Sequence, residues 1–148
     1  MNKACEIYGI TIVNRKFEVA STHKQVLQFE WDQDKKEDAQ ATNYLGWLKA
    51  NIKVPKNTEF YNTSLKPNLL NTELEGLKIR GTSDVALVSS ASAESPLVAT
   101  GMIIGFELKK AVEDHHIYQA ILQLLTGDPM SEYEFTCCDF SNPVTGYY

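Results

Sequence analysis

The feature that most restricts how this chain can fold is residues 102–110, Met-Ile-Ile-Gly-Phe-Glu-Leu-Lys-Lys, an apolar run that ends in an acid and two lysines. Read as a strand, its alternation sets Glu107 and Lys109 on one face with Ile103 and Gly105, and Met102, Ile104, Phe106 and Leu108 on the other. Both faces are apolar until the last residues, as in a strand covered on both sides within a sheet. An equally apolar run, Val85-Ala86-Leu87-Val88, follows Asp84. Acids emerging from such strands are costly to bury unless they bind something. The ends of these two strands are therefore where function is expected.

The remaining elements arrange themselves around that pair. Ala41, Tyr44, Leu45 and Leu48 fall at i, i+3, i+4 and i+7 and predict a helix over residues 37–52, stopped before Pro55 and flanked by Trp47. Residues 58–62 read as a short strand and 62–72 as a loop. Residues 77–88 read as one strand interrupted at Gly81 and 101–111 as the next, with the Ser/Ala-rich stretch 89–100 as a long hairpin tip. Ile117, Ile121, Leu124 and Leu125 predict a second helix, capped by Asp114 and ended by Gly127 and Pro129, before a last strand over 133–140. Upstream, β-branched and aromatic residues in 6–13 and 17–31 predict two or three N-terminal strands. The charge run 32–38 reads as a solvated approach to the first helix. With no repeat or linker, the 148 residues are read as a single α/β (α+β) domain, N-terminal strands over 1–31 and a core over 37–140.

Composition narrows the function classes. Hydrophobic content of 43% and charged content of 22% are ordinary for a globular protein, and no apolar run nears the ~20 residues that span a bilayer, so no membrane partner is expected. The start carries Lys3 but no apolar h-region, so no secretory signal is expected, and a naturally secreted protein would make this a processed fragment. Cys5, Cys137 and Cys138 form neither a disulfide framework nor zinc spacing with the three histidines, which points to a reducing intracellular compartment. Cys137 and Cys138 read as packing rather than nucleophiles, having no basic residue near them in sequence. A net charge of −5 argues against a general nucleic-acid coat protein. All 14 basic residues lie at or before Lys110, whereas Glu113, Asp114, Asp128, Glu132, Glu134 and Asp139 follow it. Any phosphate-binding surface has to come from the chain up to Lys110.

If the two central strands pair as a hairpin, the head of the first lies beside the tail of the second and Asp84 meets Glu107 and Lys109. Two acids supply hard oxygen ligands for Mg²⁺ (or Mn²⁺), an ion that activates water and stabilises phosphoryl charge. A lysine ammonium beside them holds a phosphate or orients the water. Phosphodiester hydrolysis is the reaction such a set suits. The acid-x-Lys spacing alone carries little, since Asp34-Lys35-Lys36 also has it in a hydrophilic run. Strand context is what selects Glu107-Leu108-Lys109. No Gly-rich phosphate loop and no nucleophilic serine motif accompanies it.

Ser83-Asp84 followed by Glu107-Leu108-Lys109 resembles the signature of the PD-(D/E)XK (restriction-endonuclease-like) superfamily, with Ser83 where Pro is often seen. The order of expected elements is similar to that superfamily's αβββαβ core, a central mixed sheet flanked by helices, here with extra N-terminal β-strands. More narrowly, the segments 79–88, 105–110 and 118–121 are similar to the C-terminal nuclease-like domain of crinkler effectors of oomycetes and fungi. That resemblance implies a secreted multidomain effector acting in the host nucleus, with this chain as its toxic domain. The family's N-terminal translocation regions have no counterpart in the sequence. The superfamily resemblance also implies that Gln119, on the second helix, faces the active site.

Other candidates stand beside plainer readings. Gln119, Gln123 and the adjacent His115 and His116 share a stripe opposite the apolar face, which otherwise reads as a polar solvent face. The histidines have an acid/base reading and a plain exposed first-turn reading. Arg80 and Lys78 share a face of the strand leading to Asp84 and suit a phosphate, and Lys110 is a third basic candidate for nucleic acid, although it points away from Lys109. Glu37, Asp38 and Glu73 are possible additional metal ligands. Tyr44, Trp47, Phe60 and Tyr61 suit base stacking, but their spacing suits a core better. Two functions follow: a metal-dependent nuclease acting on nucleic acid, DNA before RNA, or a catalytically silent module of the same fold that binds host protein or nucleic acid. The acidic stretch after Lys110, which would repel flanking phosphates, motivates the second.

Overall fold

A computed structural model describes residues 29–64, 66, 68–74, 76–111, 113–133 and 136–140, so the expected N-terminal strands lie outside the described residues except at Phe29–Trp31, which form no strand. A single 3-10 turn, Asp38–Gln40, leads into α1, Ala41–Asn51, where the predicted helix lies. Strands β1 (Thr58–Asn62), β2 (Leu70–Leu74), β3 (Leu77–Gly81) and β4 (Val85–Ser89) follow. A four-residue helix α2 (Ser90–Ala93) and a 3-10 turn (Val98–Gly101) lead to β5 (Met102–Leu108), then α3 (Asp114–Gly127) and β6 (Thr136–Phe140). The fold is a mixed α and β one.

The main sheet has the order β1-β4-β5-β6, antiparallel at its first two pairings and parallel at the last. The expected hairpin of the two apolar strands is its centre. The stretch 77–88, however, is two strands, not one. Gly81 closes β3, which among the described residues pairs only with β2 in a separate two-stranded ribbon, and Thr82 to Asp84 carry the chain across to β4 in the main sheet. The predicted loop before it also gives up Leu70, where β2 begins. Gly76, between β2 and β3, has a φ of 78°, a backbone conformation glycine adopts without steric cost.

Two apolar layers cover the two faces of the main sheet. On one, Ala41, Tyr44 and Leu48 of α1 pack on Phe60, Val85, Leu87, Phe106 and Leu108. On the other, Ala86 and Val88 pack with Leu70, Val98, Ala99 and Met102, and Leu124 of α3 leans on them. Met102 thus faces opposite Ile104, Phe106 and Leu108, contrary to strict alternation. The pairing moves from Leu87↔Ile104 to Val88↔Met102, an extra residue on β5 that flips every side chain before it. The connection between β4 and β5 is not an open tip either. Ser89 caps α2, and Gly101 passes so close that a Cβ there would meet Ser92 Oγ at 2.1 Å.

Candidate active site

The site forms where the head of β4 meets the tail of β5. Asp84 stands just before β4; its N–H donates to the Phe106 carbonyl at 3.1 Å, and its Oδ2 accepts the Leu108 N–H at 2.8 Å. The carboxylate is thereby pinned across the sheet to the backbone between Glu107 and Lys109. A brace holds the segment before it. Thr63, fully buried after β1, gives its N–H to the Asp84 carbonyl at 3.2 Å, and its hydroxyl donates to the Ser83 carbonyl and lies 3.3 Å from Ser83 Oγ. Ser83 is itself fully buried, so a hydroxyl there has a partner where a proline would have none.

Glu107 is the most telling residue. A glutamate only 2% exposed in a protein interior has to be satisfied by charge or hydrogen bonds. Lys109 Nζ stands 3.2 Å from its Oε2, Gln119 Nε2 donates to Oε2 at 2.7 Å, and Gln123 Nε2 donates to Oε1. Gln123 also reaches the Thr82 carbonyl at 3.2 Å, so one side chain ties Glu107 to the segment that carries Asp84. Burial pushes the Glu107 carboxyl up to about 7, with the Asp84 charge adding to it and the Gln123 and Lys109 contacts opposing it. Burial also raises Asp84, against the Leu108 N–H and Lys109, with Asp38 and Glu37 adding to the rise. For Lys109 burial opposes the charge, but Glu107, Asp84 and Glu37 outweigh it and hold the ammonium above its ordinary value. Two acids share one negative-charge region, with one cation against them.

Asp84, Glu107, Lys109 and Gln119, all singled out from sequence, come together. The other candidates divide. Glu37 and Asp38 bear on the site through charge, and Glu37 Oε1 also accepts the Lys110 N–H at 2.6 Å. Glu73 lies instead on the exposed ribbon opposite Lys78. Arg80 and Lys78 share the ribbon's exposed face, as alternation predicts. Lys110 is turned away, its ammonium bound to the Gln33 and Lys35 carbonyls at 3.1 and 2.5 Å. His116 Nδ1 accepts the Glu113 N–H at 2.9 Å, so it closes the start of α3, and Glu113 rather than Asp114 is the capping residue. Tyr44 and Phe60 are core residues, Tyr44 within an aromatic cluster with Phe29, Trp31 and Trp47, and Phe60 edge-on to Phe106. The side chains of Cys137 and Cys138 lie outside the described residues.

Sequence reasoning missed Thr63 and the weight of Gln123. The signal for Gln123 was present: Gln119, Gln123 and Thr126 stand at i, i+4 and i+7, and Gln123 and Thr126 are 5% and 1% exposed. This polar stripe packs inward on the sheet. No protein-family model, curated protein or solved structure matches the chain.

Proposed function

We propose that this chain is a divalent-metal-dependent nuclease with a restriction-endonuclease-like core. The observation that carries the reading is the convergence of Asp84, Glu107 and Lys109 at one end of the central strand pair, with Gln119 on Glu107. The element order, leaving aside the β2–β3 ribbon, the four-residue α2 and the short turns, supports it: helix, three strands, helix, strand, on a mixed sheet. Within that class, the segments 79–88, 105–110 and 118–121 support the toxic C-terminal domain of a crinkler-type effector, secreted and acting on DNA in a host nucleus.

The residues suit a small hard cation. Asp84 Oδ1 accepts no hydrogen bond among the described residues, and both carboxyls are raised first by burial and then by neighbouring acids, Asp84 acting on Glu107 and Asp38 and Glu37 on Asp84, a negative charge that a cation offsets. Two carboxylates, with waters completing the shell, suit Mg²⁺ or Mn²⁺. When bound, the ion supplies Lewis acidity toward a phosphoryl oxygen and a more acidic water. Asp84 and Glu107 would hold it. Gln119 and Gln123 fix the direction of Glu107, and Lys109 presents its ammonium to the scissile phosphate or the attacking water. Incubating the chain with DNA and Mg²⁺ or Mn²⁺ is expected to give cleavage that falls about a hundredfold or more in Glu107→Ala or Lys109→Ala. Equal cleavage by the variants refutes the proposal.

A second reading, a silent module of this fold that binds host protein or nucleic acid, draws on one observation: both Glu107 oxygens already have donors from the protein. Metal-induced thermal stabilisation that disappears in Asp84→Ala favours the enzyme. Absence of both metal effect and cleavage favours the module.

A further inference from the structure

A cleft of about 160 Å³ opens between the β2–β3 ribbon and α3. Its walls include Leu70 and Ile79 from the ribbon and Leu122 from the helix; Thr82 and Gln119 add polar groups, and Arg80 lines both this cleft and a more open hollow on the ribbon. Two of these residues adjoin the acids. Gln119 donates to Glu107 Oε2, and Thr82 lies two positions before Asp84. Gln123 also lines the cleft and donates to Glu107 Oε1, so a group seated there is separated from Glu107 by the two glutamine side chains.

Size and chemistry restrict what fits. The volume is close to the roughly 150 Å³ of an apolar cavity that takes up benzene, a size that suits one planar heterocycle rather than a base pair. Apolar walls meet the faces of a heterocycle, and the Gln119 amide and Arg80 offer polar contacts for its edge or its phosphate. We infer that the cleft receives one unpaired nucleobase next to the scissile phosphate, so that the substrate class is single-stranded or locally unpaired nucleic acid. This inference rests on the nuclease reading for the phosphate but not for the cleft itself.

Two measurements test it. Methyl-resolved NMR of the wild-type chain, titrated with a ten-nucleotide DNA single strand in Ca²⁺, is expected to move the Leu70, Ile79 and Leu122 methyls, while a blunt duplex of the same sequence leaves them in place. Leu122→Trp, which fills the cleft, is expected to weaken single-strand binding about tenfold, the equivalent of about 1.4 kcal/mol. Should that variant fail to fold, the wild-type titration still decides. Silent methyls at saturating single strand, or equal shifts with the duplex, overturn the inference. Cleavage in Mg²⁺ with a silent cleft removes the inference and leaves the nuclease. Cleft shifts specific to the single strand, with no cleavage in Mg²⁺ or Mn²⁺, remove the nuclease and leave a binder of unpaired bases.

Discussion

Glu107 makes the metal-free protein less stable as pH rises through the range in which it ionises. Its carboxyl titrates at about 7 in the folded chain against an ordinary 4.5, so between these values the folded state holds a proton that the unfolded state has lost. Stability from this group is fully present below about pH 4.5, falls as pH rises to about 7, and is flat above. At about 1.4 kcal/mol per pH unit the loss is about 3 kcal/mol, a large part of the 5–15 kcal/mol that holds a typical domain together. Asp84 is raised by burial too and adds to the same slope. Urea unfolding in EDTA at several pH values from 4.5 to 8 measures the wild-type profile against Glu107→Gln, which cannot ionise. The variant is expected to lose about 3 kcal/mol of the decline. Parallel profiles would refute the claim that burial and Asp84 keep this acid from ionising.

Other expectations follow from the packing and the brace. Gly101→Ala drives a Cβ into Ser92 and is expected to cost at least about 1–3 kcal/mol in thermal or urea unfolding, with Ser92→Gly recovering part of it, because the two nearest atoms are gone while Ser89 Oγ at 2.7 Å remains. Thr63→Val keeps the shape but removes the hydroxyl that holds Ser83; a loss of about 1–3 kcal/mol in unfolding should accompany weaker Mg²⁺-induced stabilisation, and an unchanged metal response would detach the brace from the site. Lys110→Ala should leave oligonucleotide binding unchanged, since its ammonium is held by loop carbonyls, whereas Arg80→Ala should weaken binding and lower its salt dependence, both read by fluorescence anisotropy.

Local sequence by itself determined much of this protein. The i, i+3, i+4, i+7 stripe of Ala41 to Leu48 specified a helix, and it buries Ala41, Tyr44 and Leu48. Alternation set Glu107 and Lys109 on one face, and the apolar runs on either side of the β4–β5 connection were enough to expect Asp84 beside them, because periodicity records which face of an element is covered. Where an element stops and what it meets were decided by contacts far apart in sequence. One apolar stretch became β3 and β4 because its halves found different partners, β2 and the main sheet. An extra residue in β5 turned Met102 to the opposite layer, a matter of register that no single strand encodes. The inward polar stripe of α3 likewise has meaning only once Glu107 lies beneath it. There a buried carboxylate needs donors, and Gln119 and Gln123 supply them where an apolar face would leave it unsatisfied.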